Sequence, residues 1–117
     1  MTHFKHPRRH FEKHLAGIRQ LPCVVCHDDT TTEAAHVRMP CKRAAKRYVG
    51  KGEKADDIYV VPLCGKHHRD QHELGEREFW ATAGIDPVFT ALALWSWTGV
   101  HEKMVEVAMN AHLREAA

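Results

Sequence analysis

Two pairs of residues in this chain carry the spacing of metal ligands. Cys23-Val24-Val25-Cys26 is a C-x-x-C pair, and Cys64-Gly65-Lys66-His67 is a C-x-x-H pair. At a tight turn, side chains so spaced point the same way, and two such pairs can close a tetrahedral zinc with no position left for water. Cys23, Cys26, Cys64 and His67 are therefore the expected ligands of a structural zinc, which contributes folding energy rather than chemistry. His68 follows directly, and His72 lies four residues further on. On a helix these two imidazoles share one face, one turn apart, and can hold a second divalent ion. Between the half-sites stands a single His36, in Ala34-Ala35-His36-Val37-Arg38. A closed zinc site, an isolated histidine and a histidine pair suited to an open metal site form the equipment of metal-assisted hydrolysis.

The elements that must position these groups can be read from pattern. Phe11, Leu15 and Ile18 predict a short amphipathic helix, ended by Leu21-Pro22. A polar turn covers residues 27–30, and His36 falls on a short strand. Residues 39–56 contain Pro40, Gly50 and Gly52 without a clear period, so they read as a long loop. Ile58-Tyr59-Val60-Val61 is the strongest strand, with Pro62 confining it to an edge or a strand end. A helix is expected from near Lys66 to about Leu74, stopped at Gly75. Residues 76–83 bring Phe79 and Trp80 back onto the core. Asp86-Pro87 is an N-cap followed by proline at the first helical position. The apolar run 88–97 then predicts a buried helix, and a last amphipathic helix spans 100–115 with Val100, Met104, Val107, Ala108 and Ala111 on one stripe. Residues 1–10 read as a basic arm, loosely helical or disordered, with Pro7 interrupting it.

With 117 residues the chain is expected to form one domain, 1–117, small enough to benefit from a metal staple. No apolar run is long enough to span a bilayer, and the N-terminus lacks the apolar segment of a secretory signal, so a cytoplasmic location is the expectation. In that compartment the cysteine pairs favour a metal site over disulfides. Cys41 stands apart from both pairs; its replacing His67 as the fourth ligand is the competing arrangement. Lys+Arg number 17 against 15 Asp+Glu, so net charge does not by itself predict nucleic acid. The distribution does: Lys5, Arg8, Arg9, Lys13 and Arg19 face a single Glu12, and Arg38, Lys42, Arg43, Lys46, Arg47, Lys51 and Lys54 face a single Glu53. Both segments are expected to neutralise DNA phosphates in a salt-dependent, largely sequence-independent way.

Order and residue types over residues 11–80 resemble the HNH (His-Me finger, ββα-metal) endonuclease superfamily. The residues that carry the likeness are His36, Asp57 (or Asp56) ahead of Ile58-Tyr59-Val60-Val61, and His68 directly after Cys64-Gly-Lys-His67, with His72 completing an H-x-x-x-H helix. The stretches Leu15 to Cys26 and Val61-Pro-Leu-Cys64 to Trp80 are similar, more narrowly, to small phage and prophage proteins of the Ref-like kind. The resemblance implies an α+β fold, a zinc-supported ββα core with helices added at both ends (core 11–80, C-terminal helices 86–117). It implies metal-dependent DNA endonuclease activity, nicking being the mode a single site favours, and a link to recombination with a recombination protein as partner. In that scheme His36 is the general base, and a catalytic ion (Mg²⁺, Mn²⁺, Ni²⁺ or Zn²⁺) sits on His68 and His72. Asp57 orients His36 or supplies a ligand. Arg38, or Arg69, clamps the phosphate. Imidazole donors favour Mn²⁺, Ni²⁺ or Zn²⁺ at least as much as Mg²⁺.

The chain departs from the family pattern at Ala35, where many members carry a metal-binding side chain, and at Asp57, where an Asn-like residue is usual. The first departure sustains an alternative, a catalytically inactive zinc-containing nucleic-acid-binding module. A zinc-stapled protein adaptor using Trp95, Trp97 and the C-terminal stripe is a third class. Those same residues would serve a homodimer, whose two sites could cut both strands of a duplex.

Overall fold

The computed structural model describes residues 9–50 and 55–112, and the arm expected over 1–10 lies outside it apart from Arg9 and His10. The fold is mixed α+β. Helix α1 (Glu12–Ile18) is followed by β1 (Thr32–His36), a single 3-10 turn (Lys42–Ala44) and β2 (Val60–Cys64). Four helices then complete it: α2 (Gly65–Leu74), α3 (Glu76–Ala83), α4 (Pro87–Ser96) and α5 (His101–Met109). β1 and β2 pair antiparallel, with Thr32 opposite Cys64 and His36 opposite Val60. All five β2 residues are buried. The β2 edge away from β1 is also used: Val24 N–H, from the first cysteine turn, donates to the Pro62 carbonyl at 3.0 Å.

β2 begins two residues later than its β-branched composition suggests, and it runs through Pro62. A proline is tolerated because only one neighbouring strand pairs with β2, and the missing N–H is no loss at an edge. Asp57 and Ile58 form a turn instead. Residues 41–46, expected as loop, close into a small turn in which Cys41 and Lys46 exchange backbone hydrogen bonds of 3.0 and 2.9 Å.

The core is built where the sequence periodicity places it. Leu15 and Ile18 of α1, Ala35 of β1, Val60, Val61 and Leu63 of β2, Phe79 and Trp80 of α3, and Leu94 of α4 are all buried in one cluster. Asp86 caps α4, its carboxylate accepting from Phe89 N at 3.1 Å, with Pro87 at the first helical position. Such a cap contributes about 1 kcal/mol. The last helix is shorter than its stripe predicts. It ends at Met109, where the Asn110 amide turns back to the Glu106 carbonyl at 2.8 Å. Val100 precedes the helix and is exposed, so the buried stripe reduces to Met104 and Ala108.

His14 is the unexpected member of the core, 1% exposed. Its ring stands edge-on to Trp95, 4.9 Å between centres. The Thr98 hydroxyl donates its one proton to the Trp95 carbonyl, so His14 Nδ1–H must be the donor in the 2.8 Å contact with Thr98 Oγ1. His14 Nε2 has no partner among the described residues. Burial lowers the His14 pKa, the charge of Asp57 opposing this only in part. The folded state thus keeps the imidazole neutral to lower pH than the unfolded chain, which takes up a proton at about pH 6.5. A folded pKa below the unfolded one means that this contribution to stability is present above that pH and lost as pH falls through it. Urea unfolding at pH 7.5, 6.5 and 5.5 should therefore show stability dropping on acidification, and His14→Gln should flatten that drop. An equal slope in the variant would show that His14 is not its source.

Candidate metal centre and histidine sites

The first cysteine turn and the junction of β2 with α2 meet at one point. The Cys23 carbonyl accepts from His27 N at 2.8 Å and Cys23 N–H donates to the Asp28 carbonyl at 2.9 Å, which folds residues 23–28 into a tight turn. Cys64 ends β2 and precedes α2, so His67 lies in the first turn of that helix. One ligand atom from each of Cys23, Cys26, Cys64 and His67 lies within 4.8 Å of all the others. The Sγ atoms of Cys26 and Cys64 are 3.8 Å apart, and His67 Nδ1 is 3.2 Å from Cys64 Sγ and 3.7 Å from Cys23 Sγ.

These spacings fit a tetrahedral ion. With metal–sulfur bonds of about 2.3 Å and metal–nitrogen bonds of about 2.05 Å, the tetrahedron's sulfur–sulfur edge is about 3.8 Å and its sulfur–nitrogen edge about 3.6 Å. The donor set points the same way. All four cysteines of the chain are free thiols. Local loss of hydration, reinforced by the neighbouring Cys23 and Cys64 sulfurs and opposed by a bond to the Asp28 backbone, pushes the thiol of exposed Cys26 up to about 11. Three thiolates this close repel one another, and a divalent cation removes that repulsion. The cluster can hold a metal ion such as zinc. Cys41 is not part of it, being tied instead into the turn with Lys46.

His36 closes β1 and is partly exposed. Its Nε2 lies 2.8 Å from Oδ1 of Asp57, a carboxylate with no solvent exposure. The other oxygen, Oδ2, accepts from Phe11 N at 2.8 Å and from His10 Nδ1 at 2.7 Å. Asp57 N–H in turn donates to the Arg9 carbonyl at 2.9 Å. Arg9 itself is locked to Asp56 by its backbone N–H at 2.9 Å and its guanidinium at 2.8 and 2.6 Å. Partial burial alone would raise the Asp56 pKa; the Arg9 bonds and charge outweigh it and hold the carboxyl below its usual range. The alternative between Asp56 and Asp57 is thus separated in space: Asp57 meets His36, and Asp56 meets Arg9.

His68 and His72 share one face of α2, ring centres 5.0 Å apart. His68 Nδ1 is 2.7 Å from Oε1 of Glu33. Alternation along β1 places Thr32, Ala34 and His36 on one face and Glu33 and Ala35 on the other. The His36–Asp57 pair and the Glu33–His68–His72 group therefore leave β1 from opposite faces. Arg38 has its guanidinium at the Gly50 carbonyl, 2.8 Å, and its backbone N–H on the Glu76 carboxylate at 2.7 Å. Arg69 is exposed. Within the basic loop Lys46 is buried, loss of hydration lowering its pKa, and its ammonium sits over the Tyr59 ring, 5.0 Å from the ring centre. Lys42, Arg43 and Arg47 stay on the surface; Lys51 and Lys54 lie outside the described residues.

Glu33 and His10 are site neighbours that pattern reasoning passed over. Glu33 lies on an exposed strand position, where its spacing to His36 puts the two side chains on opposite faces. His10 reads as one more polar residue of a basic arm. Only the tertiary pairing with α2 and Asp57 marks either one.

The chain is thus a small α+β domain with a Cys₃His cluster able to hold a metal ion, and none of its described helices is long and apolar enough to cross a membrane. It belongs to the family described as a protein of unknown function (DUF968), whose model it matches over residues 1–113. No curated protein and no solved structure matches it.

The cluster generates a direct expectation. Purified protein should carry one zinc per chain. Cys23→Ser or Cys64→Ser should abolish it and lower the thermal midpoint by roughly 10 °C or more, because losing about 2 kcal/mol of linked binding energy shifts a domain of this size that far. Cys41→Ser should leave zinc content unchanged. Full zinc retention in Cys64→Ser, by plasma emission spectroscopy, would remove Cys64 from the ligand set.

Proposed function

We propose that the chain is a metal-dependent DNA endonuclease of the HNH kind, with Cys23, Cys26, Cys64 and His67 holding a structural zinc. The observation that carries this reading is the His36–Asp57 pair. Asp57 is buried and its carboxylate only accepts, so His36 Nε2 holds a proton and Nδ1 is left with the lone pair. A partly exposed imidazole, fixed in one tautomer by a buried carboxylate, is a general base with its accepting atom named. The order of elements supports the same reading: β1 bearing His36, β2 ending in Cys64, and α2 bearing His68 and His72.

In this scheme His36 Nδ1 takes the proton of the attacking water, and Asp57 stabilises the imidazolium that results. His68 and His72 hold the divalent ion; their ring separation of 5.0 Å suits two ligands of one ion. When bound, that ion supplies Lewis acidity to the phosphate and its leaving oxygen. Because the two groups leave opposite faces of β1, this reading requires the scissile phosphate to reach both across the outer edge of that strand, which pairs with no other strand among the described residues. Lys42, Arg43 and Arg69 are exposed cations that this reading sets against the DNA backbone.

Ala35 favours a second reading. It is fully buried and offers no ligand where the HNH pattern often has one, as expected of a zinc-bearing nucleic-acid-binding module without catalysis. Cleavage of supercoiled plasmid in Mg²⁺, Mn²⁺, Ni²⁺ and Zn²⁺ separates the two. The nuclease reading expects metal-dependent nicking, reduced about 10²–10⁴-fold by His36→Ala and also lost in His68→Ala. Salt-sensitive DNA binding without cleavage in any metal would establish the binding module instead. Nicking that survives His36→Ala would mean another group is the base.

A further inference from the structure

Glu33 stands two residues before Ala35 on β1, and strand alternation puts both on the face that α2 covers. Ala35 is buried there and has no donor atom to offer. Glu33 reaches further, its Oε1 lying 2.7 Å from Nδ1 of His68. It does so by crossing the start of α2 at Gly65. A Cβ on Gly65 would meet Glu33 Oε2 at 3.3 Å and Arg69 Nη1 at 3.4 Å, so a side chain there would crowd the carboxylate's path. Because the carboxylate accepts, the His68 proton is held on Nδ1 and the lone pair is left on Nε2. Metal-bound histidines are oriented in this way, with the outer ring nitrogen donating to a carboxylate.

The partner ring is placed to share an ion. With a metal–nitrogen bond of about 2.1 Å, an ion lies about 3.2 Å from each imidazole centre, so rings 5.0 Å apart subtend roughly 100° at it. That angle suits tetrahedral or octahedral coordination.

We infer that Glu33 is the positioning residue of a second divalent-metal site on His68 and His72, acting through the His68 Nδ1 hydrogen bond and not as a ligand. The inference rests on the reading of His68 and His72 as metal ligands. It explains how the chain can dispense with a ligand at Ala35: the strand contributes orientation from one position earlier on the same face. With two imidazoles as protein donors, the ion is a first-row transition metal such as Mn²⁺ or Ni²⁺.

The test is calorimetric titration of Ni²⁺ into the zinc-loaded full chain, without DNA. The site in question is the one abolished by His68→Ala; any nickel bound elsewhere by the chain's other histidines survives that change. Glu33→Ala should weaken this site about 10–100-fold. Glu33→Gln, whose amide oxygen still accepts from Nδ1–H, should stay within a few-fold of wild type. Equal affinity in wild type and Glu33→Ala overturns the positioning role. A loss in Glu33→Gln as large as in Glu33→Ala overturns it in favour of direct ligation. If His68→Ala removes no nickel site at all, the metal reading of His68 and His72 fails, and this inference fails with it. Thermal midpoints of the variants within a degree or two of wild type show that an affinity change is local.

Discussion

The convergence of Cys23, Cys26, Cys64 and His67 is the constraint on which the rest of this structure depends. The described residues form a single two-stranded sheet and helices of seven to ten residues. Helices of that length are marginal in isolation, and so is a lone pair of strands. Each element must be held by the others. The cluster ties residues 23–26 to residues 64–67, and with them the end of α1, the end of β2 and the start of α2. Around this point Val24 N–H reaches the Pro62 carbonyl, and the Thr32 hydroxyl donates to the Leu21 carbonyl at 2.7 Å. A divalent ion closing the four ligands adds its binding energy to that same junction, because the unfolded chain cannot assemble the site.

A second constraint sits at the opposite end of β1. A buried carboxylate is costly unless hydrogen bonds replace its water. Asp57 meets that requirement by drawing in two separate pieces of chain: His36 at the end of β1, and the lead into α1 through His10 and the Phe11 N–H. The Arg9–Asp56 pair fastens the same approach from outside. Part of what reads as a basic arm is thereby drawn into the fold, and the orientation of His36 becomes a consequence of how α1 begins.

How much of this could be read from the residues follows from the range of the interactions. The Cys₃His set was legible because C-x-x-C and C-x-x-H fix local geometry at each half-site, and the fold needs only to bring two turns together. The Asp86-Pro87 helix start and the Gly75 stop are equally local. β2 was displaced because β-branched content marks Ile58 and Tyr59, while pairing with β1 extends through Pro62 to Cys64; composition does not see the partner strand. Lys46 looked like surface charge, yet its stem is buried and its ammonium lies over Tyr59, a contact set by tertiary packing. Glu33 and His10 were invisible for the same reason. Their partners lie 35 and 47 residues away in the chain, and nothing in their own neighbourhood marks them.

The two ends of β1 are linked through its register. Side chains alternate along a strand, so a slip of one residue exchanges its faces. In the observed register Ala35 enters the core and His36 meets Asp57; a slip would drive a histidine into apolar packing and leave Asp57 buried without that donor. What fixes the register lies near the Cys₃His cluster. Thr32 is paired with Cys64, its hydroxyl is anchored to Leu21, and the Thr31 hydroxyl accepts from Gly65 N–H at 3.3 Å. The cluster holds Cys64 in place and thereby holds Thr32. Four residues on, that decides which face His36 takes and, from the other face, whether Glu33 reaches His68. The Cys₃His cluster thus sets the geometry of both histidine groups, the His36–Asp57 pair and the Glu33–His68–His72 group.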